Sequence, residues 1–388
     1  MSTPVSAPRT ALVANFVAPA SGGVRTLLRT LARGYADAGH DVLLVVPGER
    51  DALREQPWGA VREVAAPRVP GTGYRLLPGH RRVARVLDAF RPDRLEVHDR
   101  LTLRGLGRWA GERGVPHLVV SHERLDRVLL PWLPGRPGPG SPVAALWRHV
   151  ADVSNRRLAA RFDAVVCSTA WAAEEFARLP GAVVHRVPLG VDLDRFAPRL
   201  RSGGGTAQLV VASRLSREKR VDLAVDAVAE LVRDGRRVEL VVAGDGPERA
   251  RLQRRARGLP VRFPGFLRGR DEVARALARA DVALAPGPVE TFGLAALEAL
   301  ACGTPVVAHA GSAVGELLGP GAGLTAEGEP SALAAAVSAV LDGAADRAAA
   351  RASAERFPAR RTVEGFLAVL PVGNSPHGGS ARGYPAAS

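Results

Sequence analysis

Residues 209–219 read LVVASRLSREK, an apolar run that leads into two cations, Arg214 and Lys219. Residues 241–247 (VVAGDGP) predict a strand that enters a tight turn. Residues 290–298 (ETFGLAALE) carry a glutamate at each end, across a predicted junction between a strand and a helix. Cations suit a diphosphate and carboxylates suit hydroxyl groups, so these stretches predict a site for a nucleotide that carries a sugar.

Lys219 is the one lysine of the chain, and every other member of its 53 Lys and Arg residues is arginine. An ammonium group is a compact point charge and a guanidinium is a planar fork, so the two are not equivalent against a phosphate oxygen. A lysine kept in this background therefore predicts a phosphate contact. The alternative is a solvated lysine that opens the helix predicted from Val221. Arg214, five residues earlier, favours the phosphate role.

Length and composition predict a folded protein of two domains. The chain has 388 residues, more than one ordinary core accommodates, and 46% of them are hydrophobic. It contains no run of 18 uncharged apolar residues, no apolar centre of a signal peptide near the N-terminus, and only two cysteines. The predicted location is the cytoplasm, and a peripheral position on the inner face of the plasma membrane is the second location that the sequence allows.

The formal net charge of +14 does not indicate a nucleic-acid partner. The arginines are spread along the chain, and aromatic residues, which stack on bases, make up only 5% of it. Phosphate-bearing substrates or an anionic membrane surface suit such a charge equally well. No nucleic acid is therefore predicted among the partners.

The first half alternates strands and helices. Residues 11–17 predict a buried strand, and Gly22 and Gly23 follow it before a helix that runs to about Ala38. Two glycines at this point let the backbone approach a phosphate, or they serve packing, and the residues alone leave both open. The alternation predicts a parallel sheet with helices on both faces.

Two histidines, His98 and His122, each end a predicted strand, where open parallel sheets hold their ligands. Residues 80–90 predict an amphipathic helix with a basic face, which is either solvated or rests on anionic lipid. The irregular segment 131–142 is rich in proline and glycine, and predicts either a loop for an acceptor or membrane, or internal packing.

The second half repeats the alternation of strands and helices after a Gly-rich linker. A single Ala-rich helix is predicted at 331–355. The predicted organisation is a disordered N-terminus (1–9), a first domain (10–190), a linker (191–206), a second domain (207–356), a helix that packs back on the first domain (357–370) and a disordered tail (371–388).

Taken in order, the motifs resemble glycosyltransferase family 4, the retaining sugar-nucleotide transferases of the GT-B fold. The resemblance covers most of residues 10–370 and adds two segments to those quoted above, 188–192 and 302–307 (CGTPVV). It implies an α/β protein with two Rossmann-like parallel-sheet domains that face a central cleft. The first domain then binds the acceptor and the second binds the nucleotide sugar.

The resemblance also implies roles for single residues. Glu290 binds hydroxyls of the donor sugar, and Glu298 binds those of the ribose. Arg214 and Lys219 neutralise the departing diphosphate, and His122 rather than His98 contacts the donor sugar. The resemblance places further donor contacts at the backbone of Gly22, Gly23, Phe292, Gly293 and Leu294, and base contacts at Gly265, Phe266 and Leu267.

Within the family, residues 96–100 and 120–126 are most similar to bacterial mannosyltransferases that use GDP-mannose and act on lipid acceptors. We therefore predict a hexosyltransferase, with mannose from GDP-mannose as the best candidate and a lipid or glycan as acceptor. A glucosyl or N-acetylglucosaminyl transferase that uses a UDP-sugar is the alternative, since the base loop decides neither. Transfer is predicted to retain configuration through front-face attack.

No cofactor is predicted besides the donor itself, because two cations already serve the diphosphate and the sequence shows no Asp-x-Asp or His cluster for a metal. Two other classes remain as alternatives. The Gly244-x-Gly246 turn fits a dinucleotide-dependent oxidoreductase, although the third glycine of that fingerprint is missing. A non-catalytic basic binding protein would not need Glu290.

Overall fold

The computed structural model describes residues 7–17, 22–69, 74–128, 141–199 and 205–370. Several predicted features fall outside these ranges: the N-terminus as far as residue 6, most of segment 131–142, the glycine-rich part of the linker and the C-terminal tail. In the described ranges, no helix has the length and apolar composition that crossing a bilayer requires.

Within the described part of the chain, the first sheet has eight strands, in chain order β1 (Arg9–Ala14), β2 (Asp41–Gly48), β3 (Ala52–Gln56), β4 (Gly59–Ala65), β5 (Arg94–His98), β6 (His117–Ser121), β7 (Ala164–Cys167) and β8 (Val184–Arg186). Their spatial order is β3-β4-β2-β1-β5-β6-β7-β8. All neighbours are parallel except the β3–β4 hairpin. Because helices cover both faces, β1 is buried along almost its whole length, and its last four residues are apolar.

The helices described in this half are α1 (Gly23–Asp37), α2 (Arg81–Phe90), α3 (Gly105–Gly111), α4 (Leu125–Val128), α5 (Pro142–Ala159) and α6 (Ala170–Ala177). Helix α1 buries leucines three and four positions apart against the sheet, as an amphipathic sequence requires. Helix α2 buries Val83 and Leu87 and leaves Arg81, Arg82 and Arg85 exposed. The predicted basic face of this helix is thus at the surface.

The second sheet contains β9 (Ala207–Ala212), β10 (Val238–Ala243), β11 (Val261–Gly265), β12 (Val282–Ala285), β13 (Val306–His309) and β14 (Gly323–Ala326), in the spatial order β11-β10-β9-β12-β13-β14. Every neighbouring pair is parallel. The helices described beside it are α7 (Val221–Arg233), α8 (Arg249–Arg255), α9 (Arg270–Arg279), α10 (Leu294–Ala301), α11 (Pro330–Ala339) and α12 (Arg347–Glu355). Two Rossmann-like parallel sheets confirm the predicted α/β class.

The last helix, α13 (Ala359–Val369), lies against the first half of the chain. The segment before it forms a bridge between Val191 and Pro358. Phe366 is fully buried, and a methyl group on Gly34 of α1 would collide with Val363 of α13. The chain therefore crosses from the second half back to the first, and the apolar face of α13 finds its partner on α1.

Two predictions of secondary structure are wrong, and one element is missed. The helix predicted at 331–355 is broken into α11 and α12, because Gly343 takes a left-handed conformation (φ 103°) and Asp346 then caps α12 through the amide of Ala349. The hairpin of β3 and β4 was not predicted, since β3 is exposed at almost every position and carries no apolar alternation. The first strand ends at Ala14 rather than at residue 17.

Candidate active site

Three loops at the carboxyl edge of the second sheet form one side of the site. Strands β10, β9 and β12 are neighbours, so the loops that follow them emerge side by side. A methyl group on Gly244 would collide with the carbonyl oxygen of Ser213, and one on Gly246 with that of Leu215. The two glycines therefore let the turn after β10 pack against the loop that carries Arg214, which accounts for them without a dinucleotide.

Lys219 and Glu290, predicted from distant parts of the sequence, form an ion pair between Nζ and Oε1. Lys219 ends a 3-10 turn (Arg217–Lys219), and Glu290 lies in the loop between β12 and α10. Burial lowers the pKa of Lys219, but the adjacent Glu290 carboxylate more than offsets it and the net shift is upward. Lys219 is thus a cation at neutral pH. The guanidinium of Arg214 lies over the ring of Tyr74, 4.7 Å from its centroid.

Glu298, the second predicted acid, is buried in α10 and pairs with a residue that the sequence did not reveal. Its Oε1 accepts a hydrogen bond from Nη1 of Arg270 at 2.9 Å. The same nitrogen lies 3.4 Å from Oγ1 of Thr26 in the first half, so the contact bridges both halves. Burial raises the pKa of Glu298, and Arg270 opposes that rise. No signal in the sequence distinguished Arg270 from the other arginines.

The N-termini of α1 and α10 face each other across the cleft. A methyl group on Gly23, the first residue of α1, would stand 3.4 Å from Cδ1 of Leu294, the first residue of α10. The N-cap residues are Gly22 and Gly293, neither end has a side-chain cap, and neither first turn contains an acidic residue. Both ends therefore present backbone N–H groups and positive potential to the cleft, as an anion requires.

The remaining predicted donor contacts differ in exposure. Phe292 is buried and packs edge-on against Phe357 (ring centroids 6.2 Å apart), so its side chain is structural. Gly265 ends β11 in a left-handed conformation (φ 87°), and its carbonyl accepts from the Gly244 amide at 2.9 Å. Phe266 is 45% exposed, and Leu267 beside it is half-buried. The predicted base loop thus borders the glycine turn after β10.

His98 and His122, which the sequence presented as rivals, are partners. Nδ1 of His98 and Nε2 of His122 lie 3.0 Å apart, and the planes of the two rings are 19° from parallel, with centroids separated by 5.2 Å. Burial, and then the proximity of His98, lower the pKa of His122 to about 3. His122 is therefore neutral at pH 7 and acts as a hydrogen-bonding group rather than as a cation.

The loop that carries Glu290 is fastened to the first half. Oγ1 of Thr291 donates to the carbonyl of His122 at 2.6 Å, and the hydroxyl of Thr169 donates to the carbonyl of Thr291 at 2.8 Å. Glu316 of the second half accepts from the amides of Ala170 (2.9 Å) and Trp171 (2.7 Å), at the start of α6. These contacts hold the cleft closed around the predicted site. Sequence reasoning missed both contacts: Thr291 lies in the 290–298 motif but was given no role, and Glu316 lies outside every motif.

Two family models match the chain in tandem. The model described as Glycosyltransferase Family 4 matches residues 21–195, and the model described as Glycosyl transferases group 1 matches residues 194–357. Together they span residues 21–357, which include every strand of both sheets except β1 and all the residues of the cleft discussed above.

Curated relatives extend over most of the chain. A Mycobacterium tuberculosis protein named GDP-mannose-dependent alpha-(1-6)-phosphatidylinositol dimannoside mannosyltransferase is 47% identical over 344 residues, which cover 86% of this chain and 87% of the relative. A second protein of that species, named GDP-mannose-dependent alpha-mannosyltransferase, is 31% identical over 328 residues, with 80% and 82% covered.

Solved structures share the fold at low sequence identity. Sucrose-phosphate synthase from Thermosynechococcus elongatus aligns with a TM-score of 0.69 and 20% identity over 92% of this chain and 94% of its own. HepE from Anabaena, in complex with UDP and glucose, aligns with a TM-score of 0.68 and 18% identity over 93% and 98%. With two parallel-sheet halves, both family models and a relative at 47% identity, the chain belongs to glycosyltransferase family 4, as an enzyme of the GT-B fold related to mannosyltransferases.

Proposed function

We propose that this enzyme transfers mannose from GDP-mannose to a hydroxyl of a lipid or glycan acceptor, with retention of anomeric configuration. The observation that carries the proposal is the ion pair of Lys219 and Glu290 on a loop that Thr291 joins to the backbone carbonyl of His122, so that a cation and a carboxylate lie near a residue with a neutral imidazole. The names of the two mycobacterial relatives support mannose and GDP. Family membership sets aside the oxidoreductase and the non-catalytic binding protein.

The chemistry follows from where charge develops. Cleavage of the sugar–phosphate bond places negative charge on the diphosphate and positive charge on the anomeric carbon. Arg214, Lys219 and the amides at the starts of α1 and α10 are arranged to stabilise the diphosphate. When the donor enters, we expect Lys219 to exchange Glu290 for the diphosphate. Glu290 is then released to accept hydrogen bonds from hydroxyls of the sugar.

The nucleoside end of the donor belongs on the other side of the cleft. Glu298 is placed to accept hydrogen bonds from the ribose hydroxyls once Arg270 moves from it, and the exposed ring of Phe266 offers a surface on which a base can stack. Neither contact distinguishes guanine from uracil, so a UDP-sugar donor is the second candidate. Relatives near 31% identity include a protein named glycogen synthase, whereas the 47% relative is named for GDP-mannose.

Thermal stabilisation tests the donor. Ligand that binds only the folded state at 100 times its Kd adds about 2.7 kcal/mol of stability. We expect GDP to raise the melting temperature of the protein by more than UDP or NAD⁺ does, and Lys219→Ala to lose most of that rise. A larger rise with UDP than with GDP would indicate a UDP-sugar as the donor instead of GDP-mannose. A rise in melting temperature with NAD⁺ alone, or no rise with any of the three nucleotides, would contradict a nucleotide-sugar site.

For the stereochemistry we propose front-face attack, in which the departing phosphate accepts the proton of the acceptor hydroxyl. Once Lys219 has turned to the diphosphate, Glu290 is engaged by hydroxyls of the sugar rather than free for nucleophilic attack. Incubation with a slow 2-fluoro sugar nucleotide, followed by mass spectrometry of the intact protein, tests this. A covalent glycosyl-enzyme would contradict it.

We also propose that no divalent metal takes part, because Arg214, Lys219 and two helix N-termini already supply positive potential for the diphosphate. Activity is expected to persist unchanged in excess EDTA. Loss of activity in EDTA, restored by Mg²⁺ or Mn²⁺, would overturn this part of the proposal.

The acceptor side is proposed to work at the inner face of the plasma membrane. The exposed arginines of α2 support this, and so does the phosphatidylinositol in the name of the 47% relative. Flotation with vesicles that contain anionic lipid, for the wild type beside an Arg81→Glu/Arg85→Glu variant, tests it. Arg82 is left unchanged in this variant because it pairs with Asp51. Equal flotation of both proteins would remove α2 from the proposal.

A further inference from the structure

A buried polar cluster lies directly behind His122. Side chains alternate along a strand, so Arg94, Glu96 and His98 of β5 share one face of the first sheet. Each of these three residues is 2% exposed or less. Charged groups are rarely buried so completely unless they are paired, and a well-packed apolar core is often as stable as a buried ion pair. Their arrangement beside a predicted site residue therefore calls for a functional explanation.

One oxygen of the Glu96 carboxylate is firmly held. Its Oε1 accepts from the hydroxyl of Tyr35 at 2.7 Å and from Nε of Arg94 at 2.8 Å. Arg94 in turn donates from Nη2 to the carbonyl of Phe366 in α13 at 2.5 Å. Burial raises the pKa of Glu96, but Arg94, His98 and Tyr35 more than offset it and lower the pKa overall. Glu96 is therefore an oriented carboxylate anion.

The other oxygen faces His98. Oε2 of Glu96 and Nε2 of His98 are 3.7 Å apart, and among the described residues neither atom has a hydrogen-bond partner. This distance is too long for a hydrogen bond, but the charge still acts across it. A carboxylate oxygen is stabilised by an N–H opposite it and destabilised by a lone pair. Glu96 therefore favours the proton of His98 on Nε2.

The tautomer of His98 determines that of His122. With its proton on Nε2, His98 has a lone pair on Nδ1, and the atom 3.0 Å from Nδ1 is Nε2 of His122. Nε2 of His122 must then carry the proton and donate it to His98. Because His122 is neutral, its second nitrogen, Nδ1, is left as an acceptor.

We propose that Glu96 is a positioning residue for sugar transfer: acting through His98, it holds His122 in the tautomer whose Nδ1 accepts a hydrogen bond from a substrate hydroxyl. This inference rests on the proposed function, in which His122 contacts the sugar. Glu290 and His122 are then both acceptors, so the site presents acceptors to two hydroxyl hydrogens. Without the charge of Glu96, His98 can carry its proton on Nδ1 instead of Nε2. His122 then has its proton on Nδ1, and presents an N–H where the substrate hydroxyl also has a hydrogen.

The wild-type protein tests the tautomer directly. The full chain is labelled with ¹⁵N-histidine, and two-bond ¹H–¹⁵N spectra at pH 7 are assigned with His98→Asn and His122→Asn. We expect His122 to show a protonated Nε2 and an unprotonated Nδ1. The reverse pattern would overturn the proposal. This measurement needs neither substrate nor turnover, so its failure is distinct from a failure to transfer mannose from GDP-mannose, which would refute the proposed function.

A pair of variants then tests the consequence. Glu96→Gln keeps the shape of the side chain and removes its charge, and we expect a mixed tautomer of His122 and a kcat lower by about 10- to 100-fold, with a smaller change in the KM for the donor. Tyr35→Phe removes a hydrogen bond from the same carboxylate but leaves its charge, so the tautomer should be kept and kcat should fall several-fold less.

An equal loss of kcat in both variants, with the tautomer of His122 unchanged in each, would mean that Glu96 only supports the fold. That result would overturn the proposal. If Glu96→Gln does not fold, the spectrum of the wild-type protein still decides it.

Discussion

Replacement of Lys219 is the sharpest test of the proposed diphosphate site. Lys219 and Glu290 are 29% and 23% exposed at their side chains, so the ion pair is partly screened by water and contributes about 1 kcal/mol or less to stability. The effect on catalysis is expected to be larger, because charge develops on the diphosphate only as the bond breaks. Loss of one preorganised donor to such charge costs about 2.7–4 kcal/mol, or roughly 100- to 1,000-fold in kcat.

The matched variant is Lys219→Arg, which restores the charge but replaces a compact ammonium with a planar fork. We expect Lys219→Ala to lose kcat by roughly 100- to 1,000-fold and Lys219→Arg by about tenfold. Release of GDP from GDP-mannose is measured at saturating donor, with thermal unfolding as the control for folding. A Lys219→Ala variant within fivefold of the wild type would refute the reasoning.

Three further predictions concern closure, packing and pH. Glu316→Gln should weaken the contact between Glu316 and the start of α6 by about 1 kcal/mol. We expect a roughly fivefold lower kcat/KM with little change in melting temperature, and unchanged kinetics would contradict a role in closure. Gly244→Ala should destabilise the protein to urea by about 1–3 kcal/mol more than Gly235→Ala does, because both glycines have positive φ but only Gly244 abuts the Ser213 carbonyl; equal losses would contradict the packing argument. His122 has a pKa of about 3 when folded and about 6.5 when unfolded, so its contribution to stability is complete above pH 6.5 and is lost as the pH falls toward 3. When the pH is lowered from 7 to 5, the wild type should therefore lose up to about 2 kcal/mol more free energy of unfolding in urea than His122→Asn does. Equal losses in the two proteins would show that the folded protein does not hold His122 in its neutral form.

The local sequence predicted the fold class well because the strands and helices of parallel α/β proteins have patterns that are visible within short stretches of sequence. Buried strands such as β1 and β9 end in continuous apolar runs, and they alternate with amphipathic helices. The hairpin of β3 and β4 and the break at Gly343 gave no such signal. The first has an exposed strand, and the second depends on one backbone conformation inside an Ala-rich sequence.

The amino-acid sequence by itself thus determined the two sheets, the loops at their carboxyl edges, and the types of residue that lie there for a nucleotide sugar. Tertiary structure alone decided which of those groups meet: Lys219 with Glu290, Glu298 with Arg270, and His98 with His122. The reason is physical. A strand or a helix is selected by neighbours within a few residues, whereas each of these pairs joins residues of separate loops, strands or helices, which meet only when the half that contains them assembles around its sheet. One arginine among many, or one of two histidines, acquires its partner only at that step.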